Sequence, residues 1–208
     1  MSLSGDHPAL NFANTVDSRR GRCGPDLLRS FDDVIVLGER LALLDDEIAS
    51  TLRSLLIADR QMGQSAMEDA IDLREAIYAT FIAEDRAQPY PPEALAIIQD
   101  AARIARARQI LAETDDGFRW KLPFDQLLDA VNLFAIEAAQ LLIERPNRRP
   151  VRECRGDNCG WLFLDRSKSG RRLWCSDASC GAHSRVKRFR SRQKRADHQA
   201  QVVARRRP

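Results

Sequence analysis

Four of the five cysteines lie between residues 154 and 180, in two pairs with equal spacing. Four residues separate Cys154 from Cys159, fifteen more follow, and four again separate Cys175 from Cys180. Clustered cysteines in a reducing compartment bind metal more often than they form disulfides, and zinc prefers soft thiolates. Four thiolates complete a tetrahedral site without leaving a position for water, so the pattern predicts a structural zinc ion. Four free structural cysteines are the competing interpretation.

The residues around the cysteines predict how the site is built. Residues 155–158 are of types that favour a turn, and this turn between the first two cysteines is here called the knuckle. Residues 161–165 are expected to form a strand, and residues 171–174 to form a second strand beside it after a turn at 167–170. Ser176 or Asp177 is expected to cap a helix whose first turn carries Cys180. A knuckle, a hairpin and a helix form a treble-clef-like module. His183 is expected at the surface or facing phosphate, with a role beside the metal or as a replacement ligand as the alternatives.

The charge is divided unevenly along the chain. Residues 1–150 carry 17 Lys and Arg against 25 Asp and Glu, a net charge of −8, whereas residues 151–208 carry 16 against 5, a net charge of +11. A basic end is expected to meet a polyanion, and guanidinium groups suit phosphate. The candidate nucleic-acid contacts are Arg171, Arg172, Arg185, Lys187, Arg188, Arg190 and Arg192.

Val186 and Phe189 are expected to form a narrow apolar stripe that docks the basic helix onto the hairpin. The terminal residues 205–207 are expected to add positive charge while remaining disordered. DNA is the favoured partner. A protein partner, including the acidic body of a second copy, is the alternative.

The preceding 150 residues are predicted to be mainly helical. The apolar spacing predicts helices at about 31–44, 45–58, 66–84, 92–113 and 124–144, the third capped by Ser65 and the last one buried at the centre. Residues 118–122 alternate as a short strand, and Pro146 and Pro150 flank a connector. We therefore predict a mainly α fold, with a helical domain at 1–148 that includes a short strand or hairpin, and a zinc module at 149–208.

Asn11, Asn14 and Asp17 form the candidate ligand pocket of the helical domain. Two asparagines three residues apart share one face of a helix. They are expected either to line a small-molecule site or to tether the N-terminus, and the tether is the favoured interpretation. Cys23 is interpreted as an incidental loop cysteine, with a reactive thiol as the alternative. Acids and bases that would suit catalysis are not grouped, so we expect no enzyme.

The residues that follow the two cysteine pairs resemble the CGNR-type zinc finger. The matching segments are Cys154-x4-Cys159-Gly-Trp-Leu-Phe-Leu-Asp and Arg171-Arg-x-Trp-Cys-Ser-x3-Cys180-Gly, and the early sequence 9–15 resembles the opening motif of the helical ABATE domain. This resemblance implies a stress-linked bacterial transcription regulator with a sensor domain. The chain departs from the name motif, because Ala182 and His183 stand where the family has Asn and Arg.

Together these observations predict a zinc-dependent DNA-binding transcription regulator, and a zinc-stabilised protein-interaction module is the alternative. A small-molecule effector and a homodimer are expected as partners. No apolar run is long enough to cross a membrane, and no signal peptide is recognised, so a cytoplasmic location is expected.

Overall fold

The computed structural model describes residues 3–21 and 24–205, with side chains described up to residue 195. Cys23 and residues 206–207 therefore lie outside the described residues. The elements in chain order are α1 (Pro8–Ala13), α2 (Phe31–Arg40), α3 (Asp46–Ala58), α4 (Arg60–Asp85), α5 (Pro92–Arg108), β1 (Ile110–Thr114), β2 (Gly117–Lys121), α6 (Leu128–Ile143), β3 (Val151–Glu153), β4 (Leu162–Leu164), a π-helical turn (Asp177–Gly181) and α7 (Ala182–Arg205). The mainly helical prediction with a small zinc module is confirmed.

The helical body is organised around α6, which packs against α5, α1 and α4. Its prediction as the buried central helix is confirmed, although it begins at Leu128 rather than at 124. Phe134 of α6 stacks on Phe12 of α1 with 4.4 Å between the ring centroids. Arg108, at the end of α5, donates to the fully buried carboxylate of Asp129 at 2.7 Å. The charge on Asp129 is thereby paired where α5 meets α6. None of the helices in the described ranges has both the length and the apolar character needed to cross a membrane.

The bounds of α2 and α4 also differ from the sequence prediction, because α2 ends at Arg40 rather than at 44 and α4 begins before 66. Helix α4 begins at Arg60, where the Asp59 side chain caps it, and Ser65 lies inside the helix. Gly63 does not break α4, because it is the point of closest approach to α3. A Cβ atom there would lie 2.4 Å from Leu56 Cδ1. The start at Arg60 thus has a local cap in Asp59, whereas the close packing of Gly63 on Leu56 depends on where α3 lies.

The helix predicted at 92–113 ends at Arg108, and the residues after Gln109 form β1 instead. Strand β1 pairs antiparallel with β2 across the turn at 115–116, with Leu111 opposite Trp120. The short strand predicted at 118–122 is thus confirmed as β2, one residue earlier. A single strand leaves its backbone groups unpaired, so the segment before the turn becomes its partner.

The hairpin predicted between 161–165 and 171–174 is wrong. Strand β4 pairs with β3, which precedes the first cysteine, and residues 171–174 form no strand although the structure describes all of them. The loop after β4 is closed by Asp165, whose carboxylate accepts from the backbone N–H groups of Ser167 and Arg172, both at 3.0 Å. Burial raises the pKa of Asp165, but these hydrogen bonds outweigh it and hold that pKa below its usual range.

Strand β4 lies between two hydrophobic cores. Leu162 and Leu164 join the large core of the helical body, as does Val151 of β3, whereas Phe163 packs with Cys154, Trp161 and Cys175 in a second core. Because successive residues of a strand face opposite sides, two residues of β4 pack in one core and the residue between them packs in the other. The division at 148–149 remains a prediction, and apolar packing is continuous across it.

Residues 14–20, here called the strap, run from α1 along the segment 158–162. Asn14 makes two hydrogen bonds to the backbone of Leu162, donating to its carbonyl and accepting from its N–H, both at 2.8 Å. Trp161 Nε1 donates to the Val16 carbonyl at 2.7 Å, and the Arg19 N–H donates to the Cys159 carbonyl at 2.8 Å. The strap therefore fixes the zinc module to the body through backbone groups.

We expect Asn14→Ala to lower the free energy of unfolding by about 3 kcal/mol, because it leaves two buried backbone groups of Leu162 without partners. Urea denaturation of the zinc-loaded protein measures this change. Asn147→Ala is the matched control, because Asn147 is exposed and its side chain makes no hydrogen bond among the described residues. Equal stability of the two variants would contradict the role given to Asn14.

Candidate metal centre and basic helix

The four cysteines of the two pairs converge on one point. The sulfur atoms of Cys154, Cys159, Cys175 and Cys180 all lie within 4.8 Å of one another. Cys175 Sγ is 3.6 Å from Cys159 Sγ and 3.7 Å from Cys180 Sγ. A tetrahedral zinc ion with bonds of about 2.3 Å requires edges of about 3.8 Å between sulfurs, so the cluster has the right size for zinc. All four cysteines are free, and the cluster is a structural zinc site.

The first pair of ligands is positioned by β3 and a tight turn. Cys154 follows β3, and its N–H donates to the Trp161 carbonyl at 2.7 Å. The Gly156 N–H donates to Cys154 Sγ at 3.5 Å, as expected for a knuckle that supports a thiolate. A Cβ atom on Gly156 would lie 3.2 Å from Cys180 Sγ, so any larger residue would have to push the knuckle slightly away from the second pair.

The second pair is positioned by a helical turn and by Arg172. The Ser176 side chain accepts from the Ser179 N–H at 3.3 Å, which confirms the predicted cap and places Cys180 in the first turn. The Arg172 guanidinium lies 4.5 Å from the centre of the Phe163 ring and donates to the carbonyls of Trp174 and Cys175. Arg172 thus braces the chain that leads into Cys175.

Proton sharing among the thiols shows why the cluster suits a cation. The Cys154 sulfur accepts hydrogen bonds from Cys159 and Cys175, and these lower the pKa of Cys154 to about 2. The same bonds raise the pKa of Cys159 and of Cys175, and burial raises the pKa of Cys180. Hydrogen bonds among the sulfurs thus favour the thiolate form at Cys154 and the protonated form at Cys159 and Cys175. A zinc ion supplies the positive charge with which all four thiols ionise.

The predicted nucleic-acid residues fall into two groups. Arg172 is engaged inside the module and also pairs with Asp6 at 2.6 Å, so it is not available as a phosphate contact. Arg185 pairs with Asp177 at 2.8 Å, and Lys187 pairs with Asp157. The remaining four side chains are exposed and make no ion pair within the part of the chain whose side chains are described; they are Arg171, Arg188, Arg190 and Arg192.

The expectation that Val186 and Phe189 dock the basic helix is wrong. Their exposed fractions are 48% and 68%. The surface that they were expected to cover is not present, because residues 171–174 form no strand. Helix α7 continues from the π-helical turn, and its described side chains beyond Lys187 contact no other element through hydrogen bonds or ion pairs. It therefore projects with charged and apolar groups both exposed.

The candidate pocket residues of the body separate in the structure. Asn11 and Asn14 are buried, and Asn11 Oδ1 accepts from the Gly5 N–H at 2.9 Å, so both asparagines act as tethers. Asp17 lines a cavity of about 650 Å³ between the strap and the zinc module. His183 also lines this cavity, is exposed and does not belong to the thiol cluster. The cavity therefore includes one of the three predicted residues.

Sequence reasoning missed the buried acids that join the body to the module. Asp85 of α4 pairs with Arg155 at 2.9 Å, and Glu153 of β3 accepts from Arg20 Nε at 2.6 Å. Both carboxylates are almost completely buried, so their charges need these partners. One feature of the sequence could have indicated the pairing of Glu153: it is an isolated acid in a segment otherwise rich in arginine.

Two family models match the chain. The ABATE model, described as "Putative stress-induced transcription regulator", matches residues 6–145. The CGNR zinc finger model matches residues 150–193. No curated protein matches the sequence.

We expect Cys175→Ser to lose zinc and to loosen the knuckle, the π-helical turn and α7, because one of the four ligands is removed. The helical body should stay folded, because Val151, Leu162 and Leu164 belong to its core. Zinc content and far-ultraviolet circular dichroism measure the two effects. Ser179→Ala is a control in the same turn that leaves the thiols intact. Loss of the whole helical signal in Cys175→Ser would show that the body also depends on the metal.

Proposed function

The chain belongs to the ABATE family and ends in a CGNR zinc finger, and from this premise we propose that it is a zinc-dependent DNA-binding transcription regulator in the cytoplasm. The observation that carries the proposal is the projecting helix α7, whose Arg188, Arg190 and Arg192 are exposed and make no ion pair with the described side chains. A helix with so many like charges is destabilised by their mutual repulsion, which the phosphates of a duplex relieve. The proposal includes no catalytic step.

The zinc site gives this helix its direction. Cys180 lies in the turn from which α7 continues, so the metal connects the start of the helix to the knuckle and, through β4 and the strap, to the body. The Ala182 and His183 positions, where the family motif has Asn and Arg, lie at the base of α7. The exposed arginines at 188, 190 and 192 lie further along the helix and supply the phosphate contacts in this proposal.

We expect DNA binding to weaken steeply with salt. Arg188, Arg190 and Arg192, together with the exposed Arg171, give four phosphate contacts and a slope of about −4 for log K against log salt concentration. Fluorescence anisotropy of a labelled duplex at several salt concentrations measures the slope. An affinity that does not change with salt, or that persists after zinc is removed, would contradict the proposal.

A double variant separates α7 from the general charge of the protein. Arg188→Ala with Arg192→Ala should reduce the magnitude of the slope by about 2, because two phosphate contacts are lost. Arg60→Ala with Arg103→Ala is the matched control, because it removes the same charge from exposed positions of the body. Equal loss in both double variants would show that α7 is not the binding element.

The cavity between the strap and the zinc module is the proposed effector site. Three zinc ligands, Cys159, Cys175 and Cys180, line it, so its volume of about 650 Å³ includes the zinc position, and a small molecule would take the rest. Asp17 and Ser18 line it on the side of the body, and His183 and Ser184 line it at the base of α7. A ligand with hydrogen-bond donors for Asp17 would contact both parts at once.

A second function is favoured by one observation, the exposure of Val186 and Phe189. A zinc-stabilised module that binds a protein would bury these two side chains and pair its arginines with acidic groups of the partner. The anisotropy titration separates the two functions. No binding of any duplex at low salt, with zinc present, would favour the protein partner.

A further inference from the structure

The β1–β2 hairpin carries an apolar face that the proposed function does not use. Residues directly opposite each other in an antiparallel pair share a face, and so do residues two positions apart. Leu111 is opposite Trp120 and Glu113 is opposite Phe118, so Leu111, Phe118 and Trp120 lie together on one face. Glu113 is the only charged residue on that face, and it lies near the turn.

This face is open to solvent. The exposed fractions are 58% for Leu111, 66% for Phe118 and 64% for Trp120. The opposite face of the hairpin holds Ile110, Ala112, Thr114, Arg119 and Lys121. Of these only Ile110 is a large apolar residue. A two-stranded hairpin is marginally stable in water, and a contiguous exposed apolar patch marks an interaction site.

The size of the patch matches one side of a protein interface. Two aromatic side chains that expose about two-thirds of their area, together with the leucine, leave roughly 350 Å² of apolar surface. A standard interface takes about 800 Å² from each partner, of which a little more than half, about 450 Å², is apolar. The hairpin face therefore supplies most of the apolar part of such an interface.

We propose that this face binds the same face of a second copy of the chain. The patch is self-complementary, because aromatic rings pack favourably against one another and a twofold axis brings the same residues together from both sides. Arg119 and Lys121 lie on the opposite face, so the patch offers no cation to an acidic partner or a nucleic acid. Asp115 and Asp116 at the turn repel an anionic lipid surface.

Glu113 determines how the two hairpins are oriented. If the two turns met, the Glu113 carboxylates would approach each other across an apolar contact, where like charges are unfavourable. If the turn of one hairpin lies over the base of the other, each Glu113 lies level with Leu111 of the other copy, and the two carboxylates are offset by two residues, about 7 Å along the strands. The second arrangement is the one that we propose. It does not depend on DNA binding.

Sedimentation equilibrium of the zinc-loaded full chain tests the interface without DNA. The wild type should approach twice the chain mass of 23.5 kDa as its concentration rises through the micromolar range. Phe118→Ser with Trp120→Ser should remain monomeric, with a dissociation constant raised by more than about tenfold. Circular dichroism would show whether this variant keeps the helical body folded.

Arg119→Ser is the matched control, because it alters the same strand on the opposite face. It should dimerise as the wild type does. A wild type that stays monomeric throughout, or a control that dissociates as fully as the double variant, would overturn the proposal.

Tryptophan quenching gives an independent measurement. Of the three tryptophans Trp120 is two-thirds exposed, Trp161 is buried and Trp174 is partly buried in the second core, so quenching of Trp120 by acrylamide should fall as the protein is concentrated. Trp120→Phe should remove this dependence on concentration while keeping an aromatic ring at the interface. If quenching in the wild type is the same at all concentrations, Trp120 is not covered and the proposed face is wrong.

Discussion

The alternation of side chains along β4 is the constraint on which the rest of the structure depends. The strand is three residues long. One of its faces packs in the core of the helical body, and the other packs in the second core around the cysteines. Leu162 and Leu164 are held by the core of the helical body, and this packing involves none of the metal ligands. Phe163 then presents a surface on which Arg172 can stack, and Arg172 leads the chain into Cys175. The second pair of ligands is therefore positioned from the body through a single strand.

This arrangement provides part of the free energy that stabilises the small zinc module. A basic segment of this length has too little core to fold by packing alone, and metal sites commonly supply the missing free energy. Here the body supplies part of it, because the strap satisfies the backbone of Leu162 and the carbonyl of Cys159. Zinc is then needed mainly for the segments that the body does not touch, which are the π-helical turn and the base of α7.

The sequence allowed a prediction of those parts of the fold whose interactions are local. The equal spacing of Cys154–Cys159 and Cys175–Cys180 is a chelate pattern, and it correctly indicated the zinc ligands. The long apolar run of α6 correctly indicated a buried helix. The pairing of β4 could not be read in the same way, because its partner β3 lies on the other side of the knuckle.

Other errors have the same physical origin. Val186 and Phe189 have the spacing of a buried stripe, but spacing does not show whether a surface exists to cover them. Asn14 could have lined a pocket or formed a tether, and only its partner, Leu162, 148 residues away, decides between the two. Gly63 resembles a helix breaker in the sequence, and its role as a contact point for Leu56 depends on where α3 lies.

The cavity between the strap and α7 shows how the two halves of the chain can communicate. A ligand that contacts Asp17 and Ser184 together stabilises one relative position of the strap and the basic helix. If DNA favours that same position, the ligand raises the affinity for DNA, and DNA raises the affinity for the ligand by the same factor. If DNA favours another position, each lowers the affinity for the other equally. Cys180 and Trp161 line the cavity and also pack in the second core, so in the proposed function the metal site lies between the ligand and the basic helix.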